Sequence, residues 1–114
     1  MNWYVAKIIF RISNTGALRP QFDEHLRLVA AENFEEAFLK ARIIGIQEED
    51  SFMNDKQQPV KWEFINVADL YPVYRLSDGA ELYSHIHETD EAADYIRQVH
   101  QRAVSMQTQE QSVF

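Results

Sequence analysis

Residues 3–12 predict a strand with no polar side: Tyr4, Ala6, Ile8, Phe10 and Ile12 fall on one face, and Trp3, Val5 and Ile9 on the other. Residues 60–67 repeat the pattern, with Val60, Trp62 and Phe64 against Ile65 and Val67. Strands of this kind need cover on both faces. Between them, the turn-forming cluster Ser13-Asn14-Thr15-Gly16 and then Pro20 interrupt the chain, so the extended run 21–30 predicts a hairpin with the first strand. On that run Phe22, Glu24, Leu26 and Leu28 share one face, while Asp23, His25 and Arg27 make the other, the more exposed one on this reading.

Period then switches from strand to helix. Asn33 can accept from first-turn amides with Glu36 three residues on, a capping-box variant, and Phe34, Ala37, Phe38, Ala41, Ile44 and Gly45 form an apolar stripe. Leu39, Ile43 and Ile46 form a second stripe on roughly the opposite side. Such a helix needs two contacts, supplied either by another helix of the chain or by a second subunit. Glu48-Glu49-Asp50 follow as a solvated, fraying helix end rather than a cation site, and residues 51–59 read as a polar loop. After the strand at 60–67, residues 73–76 and 81–87 flank Asp78-Gly79 as a second hairpin. A final helix starts near Thr89 or Asp90, with Ala92, Tyr95, Ile96, Val99, Ala103 and Met106 on a core-facing arc. Residues 1–106 therefore form one α+β domain of order ββαββα, an antiparallel sheet of about four strands with two helices on one face, and 107–114 a disordered tail.

Charge and composition narrow the function. A net charge of −7, with 11 Lys and Arg scattered rather than striped, disfavours nucleic acid. No apolar run reaches the roughly 20 residues of a spanning helix, and Met1 to Lys7 open a strand pattern instead of a signal peptide. Without cysteine there are no disulfides, thiolate metal sites or cysteine nucleophiles, which leaves a soluble protein of the reducing cytoplasm as the expected setting.

Candidate chemistry is sparse. On a strand at 81–87, Glu81, Tyr83, His85 and His87 would share one face, and a carboxylate with two imidazoles could hold a divalent ion if His25 or His100 came near. The competing reading makes these four the polar side of a half-buried strand, since no tight His spacing accompanies them. Ser84 and His85 point to opposite faces of such a strand and form no dyad. The isolated Gly16, Gly45 and Gly79 build no phosphate loop. No metal, cofactor or catalytic residue is expected.

Trp3-Tyr4-x-Ala6, Asn33-Phe34-Glu35-Glu36-Ala37, Val60-Lys61-Trp62-Glu63-Phe64 with Val67, and Asp78-Gly79-x-Glu81-Leu82-Tyr83-Ser84 occur here in one order. Through them the chain resembles, over about residues 3–84, the small bacterial family catalogued as a domain of unknown function, number 4288 in that series. The resemblance implies a small soluble bacterial α+β protein and no particular activity, ligand or site residue. The residues themselves favour a noncatalytic protein that acts through association, as a homodimer and with a possible protein partner, through Trp3, Val5, Ile9, Leu39, Ile43 and Ile46. The alternative is a small-ligand or metal-binding module on Glu81, Tyr83, His85 and His87.

Overall fold

In the computed structural model, residues 1–113 are described, with side chains described through Thr108. Six elements follow one another: β1 Asn2–Asn14, β2 Gln21–Ala31, α1 Phe34–Gln47, β3 Asp50–Met53, β4 Pro59–Val73 and α2 Ala92–Val113. The class is α+β and the order ββαββα, as expected, and the four strands pair antiparallel in the spatial order β2-β1-β4-β3. Two compact units are formed, Met1–Ser84 and His85–Phe114.

In the first unit β1 is central, so its even-numbered residues can be buried by neighbours on both sides and by α1 above. Tyr4, Ala6, Ile8 and Phe10 lie with Val29, Ala31, Ala37 and Ala41 in the core. Asn33 caps α1, its Oδ1 accepting from the Glu36 amide at 2.8 Å. The small residues Ala37, Ala41 and Gly45 let the helix lie close on the sheet. At Gly45 the approach is extreme, since a Cβ there would sit 2.3 Å from the Phe64 ring.

β4 does not keep the simple alternation expected of it. Register shifts between Lys7 and Ile8, and between Ile9 and Phe10, insert extra residues into β4 opposite β1. Phe64, Val67 and Leu70 thereby all pack against the same core cluster, so Val67 joins Phe64 instead of opposing it. Glu49 Oε2 accepts from the Phe64 amide at 3.0 Å, beside the second irregularity. The acidic triplet is therefore fixed rather than frayed. Glu48 pairs with Arg27 at 3.3 Å, and Asp50 Oδ1 accepts from the Ser51 amide at 2.8 Å as β3 begins.

The expected loop at 51–59 is instead a hairpin between β3 and β4. Asn54 organises it: its Oδ1 accepts from the amides of Lys56 and Gln58, its carbonyl accepts from Gln57 N–H, and its own N–H bonds Gln58. These bonds hold Gln57 at φ 61°, a left-handed conformation that costs a side chain about 1–2 kcal/mol. Gln57→Gly is expected to raise stability by about 0.5–1 kcal/mol in urea melts, the relief of strain exceeding the added chain entropy of glycine.

β2 also faces the opposite way from the sequence reading. Directly opposed residues of an antiparallel pair share a face, and the pairs Ala6↔Arg27, Ile8↔His25 and Phe10↔Asp23 turn the charged set toward α1. Phe22, Leu26 and Leu28 lie on the side away from the helix and stay exposed. The polar set is tolerated because it lies toward the C-terminal end of α1, where Glu48 supplies a countercharge.

The hairpin expected at 73–87 is not formed. β4 continues to Val73, which pairs with Trp3 and completes the ladder along β1. The Asp78-Gly79 signal produces only its turn, with Gly79 at φ 83° and Ala80 N–H bonded to the Ser77 carbonyl, and residues 81–87 are not a strand.

In the second unit, Thr89 Oγ1 accepts from the Glu91 amide and the Glu91 carbonyl from Tyr95, opening α2. Asp94 and Arg97 form an ion pair one turn apart. The expected core-facing arc is not buried, as Tyr95, Ile96, Val99 and Met106 are all exposed. The backbone is helical to Val113, and the expectation of a tail over 107–114 falls, from Gln109 onward, on side chains outside the described residues. Among the described residues no helix is long and apolar enough to cross a membrane.

Candidate functional site

Where the C-terminal end of α1 meets the sheet, β2 and β4 assemble a chain of polar side chains that sequence spacing alone does not group. Trp62 Nε1 donates to Asp23 Oδ2 at 3.1 Å, the same oxygen lies 2.6 Å from His25 Nε2, and Arg27 approaches His25 Nδ1 at 3.4 Å. Arg27 can only donate, so Nδ1 is the acceptor and the ring proton sits on Nε2, pointing at the carboxylate. Phe10 packs on the imidazole, with centroids 5.0 Å apart, and Phe52 stacks on Trp62 at 6.4 Å. A histidine beside an aspartate invites a general-base reading. Both nitrogens are engaged, however, which leaves neither to take a proton from a substrate. The arrangement fixes the end of α1 on the sheet and offers no nucleophile.

On the opposite face of the sheet Lys7 pairs with Glu24 at 3.0 Å, and its ammonium is held above the ordinary range by that hydrogen bond and the accompanying negative charge. Tyr71 meets Tyr83 edge-on at 5.2 Å, and its phenol is pushed up by partial burial, with the negative charge of Asp69 adding to it. Around this contact Tyr71, Tyr74, Arg75, Glu81, Tyr83 and Ser84 contribute to a cleft of about 340 Å³.

Of the four candidate ligand residues, Glu81 and Tyr83 belong to the first unit and His85 and His87 to the second. Glu81 and Tyr83 line that cleft in the first unit, whereas His87, in the second, stacks on Tyr95 at 5.0 Å. His85 opens the second unit. Because 81–87 is not a strand, the alternation that placed Glu81, Tyr83, His85 and His87 on one face does not apply. Among the described residues no group of three or more His, Asp or Glu side chains is placed to hold a metal ion.

The candidate interface residues divide as well. Leu39, Ile43 and Ile46, each 52% exposed, form an apolar stripe on the outside of α1. On the far face of the sheet Trp3 is exposed, Ile9 is half-buried, and Val5 is buried, flanked in the ladder by Leu28 and Tyr71. That face gains three exposed apolar residues that the sequence reading did not assign to a surface, Phe22, Leu26 and Leu28, with the Arg11 guanidinium 6.0 Å above the Phe22 ring.

A family model described as a domain of unknown function (DUF4288) matches residues 3–84. Neither a curated protein nor a solved structure matches the chain.

Proposed function

The chain belongs to the DUF4288 family, whose matched region is the unit that carries the sheet and α1, and from that premise we propose that it acts noncatalytically, by associating with a second copy of itself. The observation that carries this reading is apolar exposure on both sides of one small unit: the outer stripe of α1, and Trp3, Phe22, Leu26 and Leu28 on the sheet face away from it. Exposed large apolar side chains gathered in this way mark an interaction site more often than a monomer's exterior. A twofold pairing is the commonest way to bury it, and the absence of cysteine suits such a protein to the cytoplasm.

Light scattering after size exclusion at micromolar concentration should give about twice the 13.4 kDa chain mass. Leu39→Lys with Ile43→Lys, at two half-exposed positions, should weaken the dimer at least tenfold while leaving the thermal midpoint of the isolated chain within a few degrees. A mass equal to that of one chain, unchanged with concentration, overturns the reading.

A further inference from the structure

We propose that the second copy pairs along β2, antiparallel to β2 of the first, with His25 on the twofold axis, so that two four-stranded sheets become one of eight. This rests on the self-association argued above and adds its seam. β2 ends the sheet and is eleven residues long, against four for β3 at the other edge. A long edge strand presents a row of backbone donors and acceptors that another strand can satisfy.

Charge selects the register. In an antiparallel pair centred on one residue, opposed side chains share a face, so helix-facing residues meet helix-facing residues. Centring on His25 sets Asp23 against Arg27 of the second copy and Phe22 against its Leu28, each twice by symmetry. Both described bonds of Asp23 use Oδ2, which leaves Oδ1 to accept from that arginine. Glu24 falls opposite Leu26 and keeps its own ion pair with Lys7. One step away, centring on Glu24 sets two carboxylates face to face. One step the other way, centring on Leu26 sets His25 against Arg27 and draws in Ala30, whose carbonyl already accepts from Lys40 Nζ at 2.6 Å. The His25 register stops short of Ala30. A twofold axis perpendicular to the sheet also places both α1 helices on one face, flanking the seam. Lys40, reaching Ala30, marks the side of α1 nearest to it, and Ile43 follows three residues on.

Charge reversal in mixtures tests the seam. Asp23→Lys alone sets like charges at both crossings, as does Arg27→Glu alone, and each should weaken the homodimer at least tenfold. Mixing the two variants restores opposite charges at both crossings, so a heterodimer of near wild-type affinity should form, which a merely misfolded variant would not do. Cysteine placement gives an independent reading because the chain has none. Phe22→Cys and Leu28→Cys alter exposed side chains, and under mild oxidation their mixture should cross-link at least tenfold faster than either alone. If wild type is dimeric but neither mixture shows this preference, the β2 seam is wrong and self-association stands. If wild type is monomeric, both fall.

Discussion

Phe10→Ala is expected to destabilise the chain by about 3–5 kcal/mol, enough to lower the thermal midpoint by roughly 12–20 °C in a domain of this size. Phe10 is 1% exposed and is one of the two largest side chains buried completely. Deleting its ring removes the transfer free energy of a large apolar group and leaves a cavity that the surrounding sheet can fill only in part. Two neighbours make the site costlier than area alone implies. His25 lies 5.0 Å from the ring and Phe64 meets it at 6.2 Å, edge to face. Losing Phe10 also frees the imidazole that Asp23 and Arg27 hold in place, so the fixing of α1's end on the sheet should loosen. Urea melts measure the loss. Leu18→Ala, in the fully exposed turn between β1 and β2, is the comparison and should cost less than about 1 kcal/mol. A loss of that small size at Phe10 would show that the ring is not packed where the register of β1 places it.

Phe10 and the β2 residues opposite it show what the sequence made legible. The apolar pattern of residues 3–12 identified a strand, and the Asn33 cap located α1, because both signals are local and each has one physical cause. Strand facing is not local. Whether Asp23, His25 and Arg27 turn toward the helix depends on which residues of β1 they oppose, and that register is fixed by the hairpin loop rather than by hydrophobicity. Charge on that side argued for exposure; the ladder placed it under the end of α1, with Glu48 as countercharge. The β-bulges of β4 were hidden for a related reason. An extra residue leaves no mark in a run such as Val60 to Val67, where apolar residues fall at both odd and even positions, yet it moves Val67 across the sheet. In the same way Asn54 supplies side-chain bonds that make a polar segment into a tight hairpin, and Asp78-Gly79 makes a turn without strands because β4 already fills the ladder to Trp3. Of the candidate surface, the outer stripe of α1 was readable from helical spacing. Phe22, Leu26 and Leu28 could have been added only by pairing residue 12 with residue 21 across the turn, which sets every later pair.

Gly45→Ala separates local preference from packing, because the two predict opposite signs. In a solvent-exposed helix interior the substitution stabilises by up to about 1 kcal/mol, since alanine loses less chain entropy than glycine. Here the new methyl would lie 2.3 Å and 2.4 Å from two carbons of the Phe64 ring, closer than real contacts allow, and a tight 3.1 Å from a third. A ring approached along its Cδ1–Cε1 edge clears the methyl only by moving as a whole. Either the helix rises from the sheet, or Phe64 leaves its rotamer and disturbs Phe10 beside it. Overpacking of this kind costs about 1–3 kcal/mol, so after the helix preference of about 1 kcal/mol is subtracted the net loss should reach up to about 2 kcal/mol. Phe64→Leu gives the control. In that background the obstructing ring is gone, and Gly45→Ala should be close to neutral or stabilising, a coupling that a double-mutant cycle of urea melts reads directly. A gain in stability on Gly45→Ala in the wild-type background would mean that α1 rides higher on the sheet than the Gly45–Phe64 approach requires.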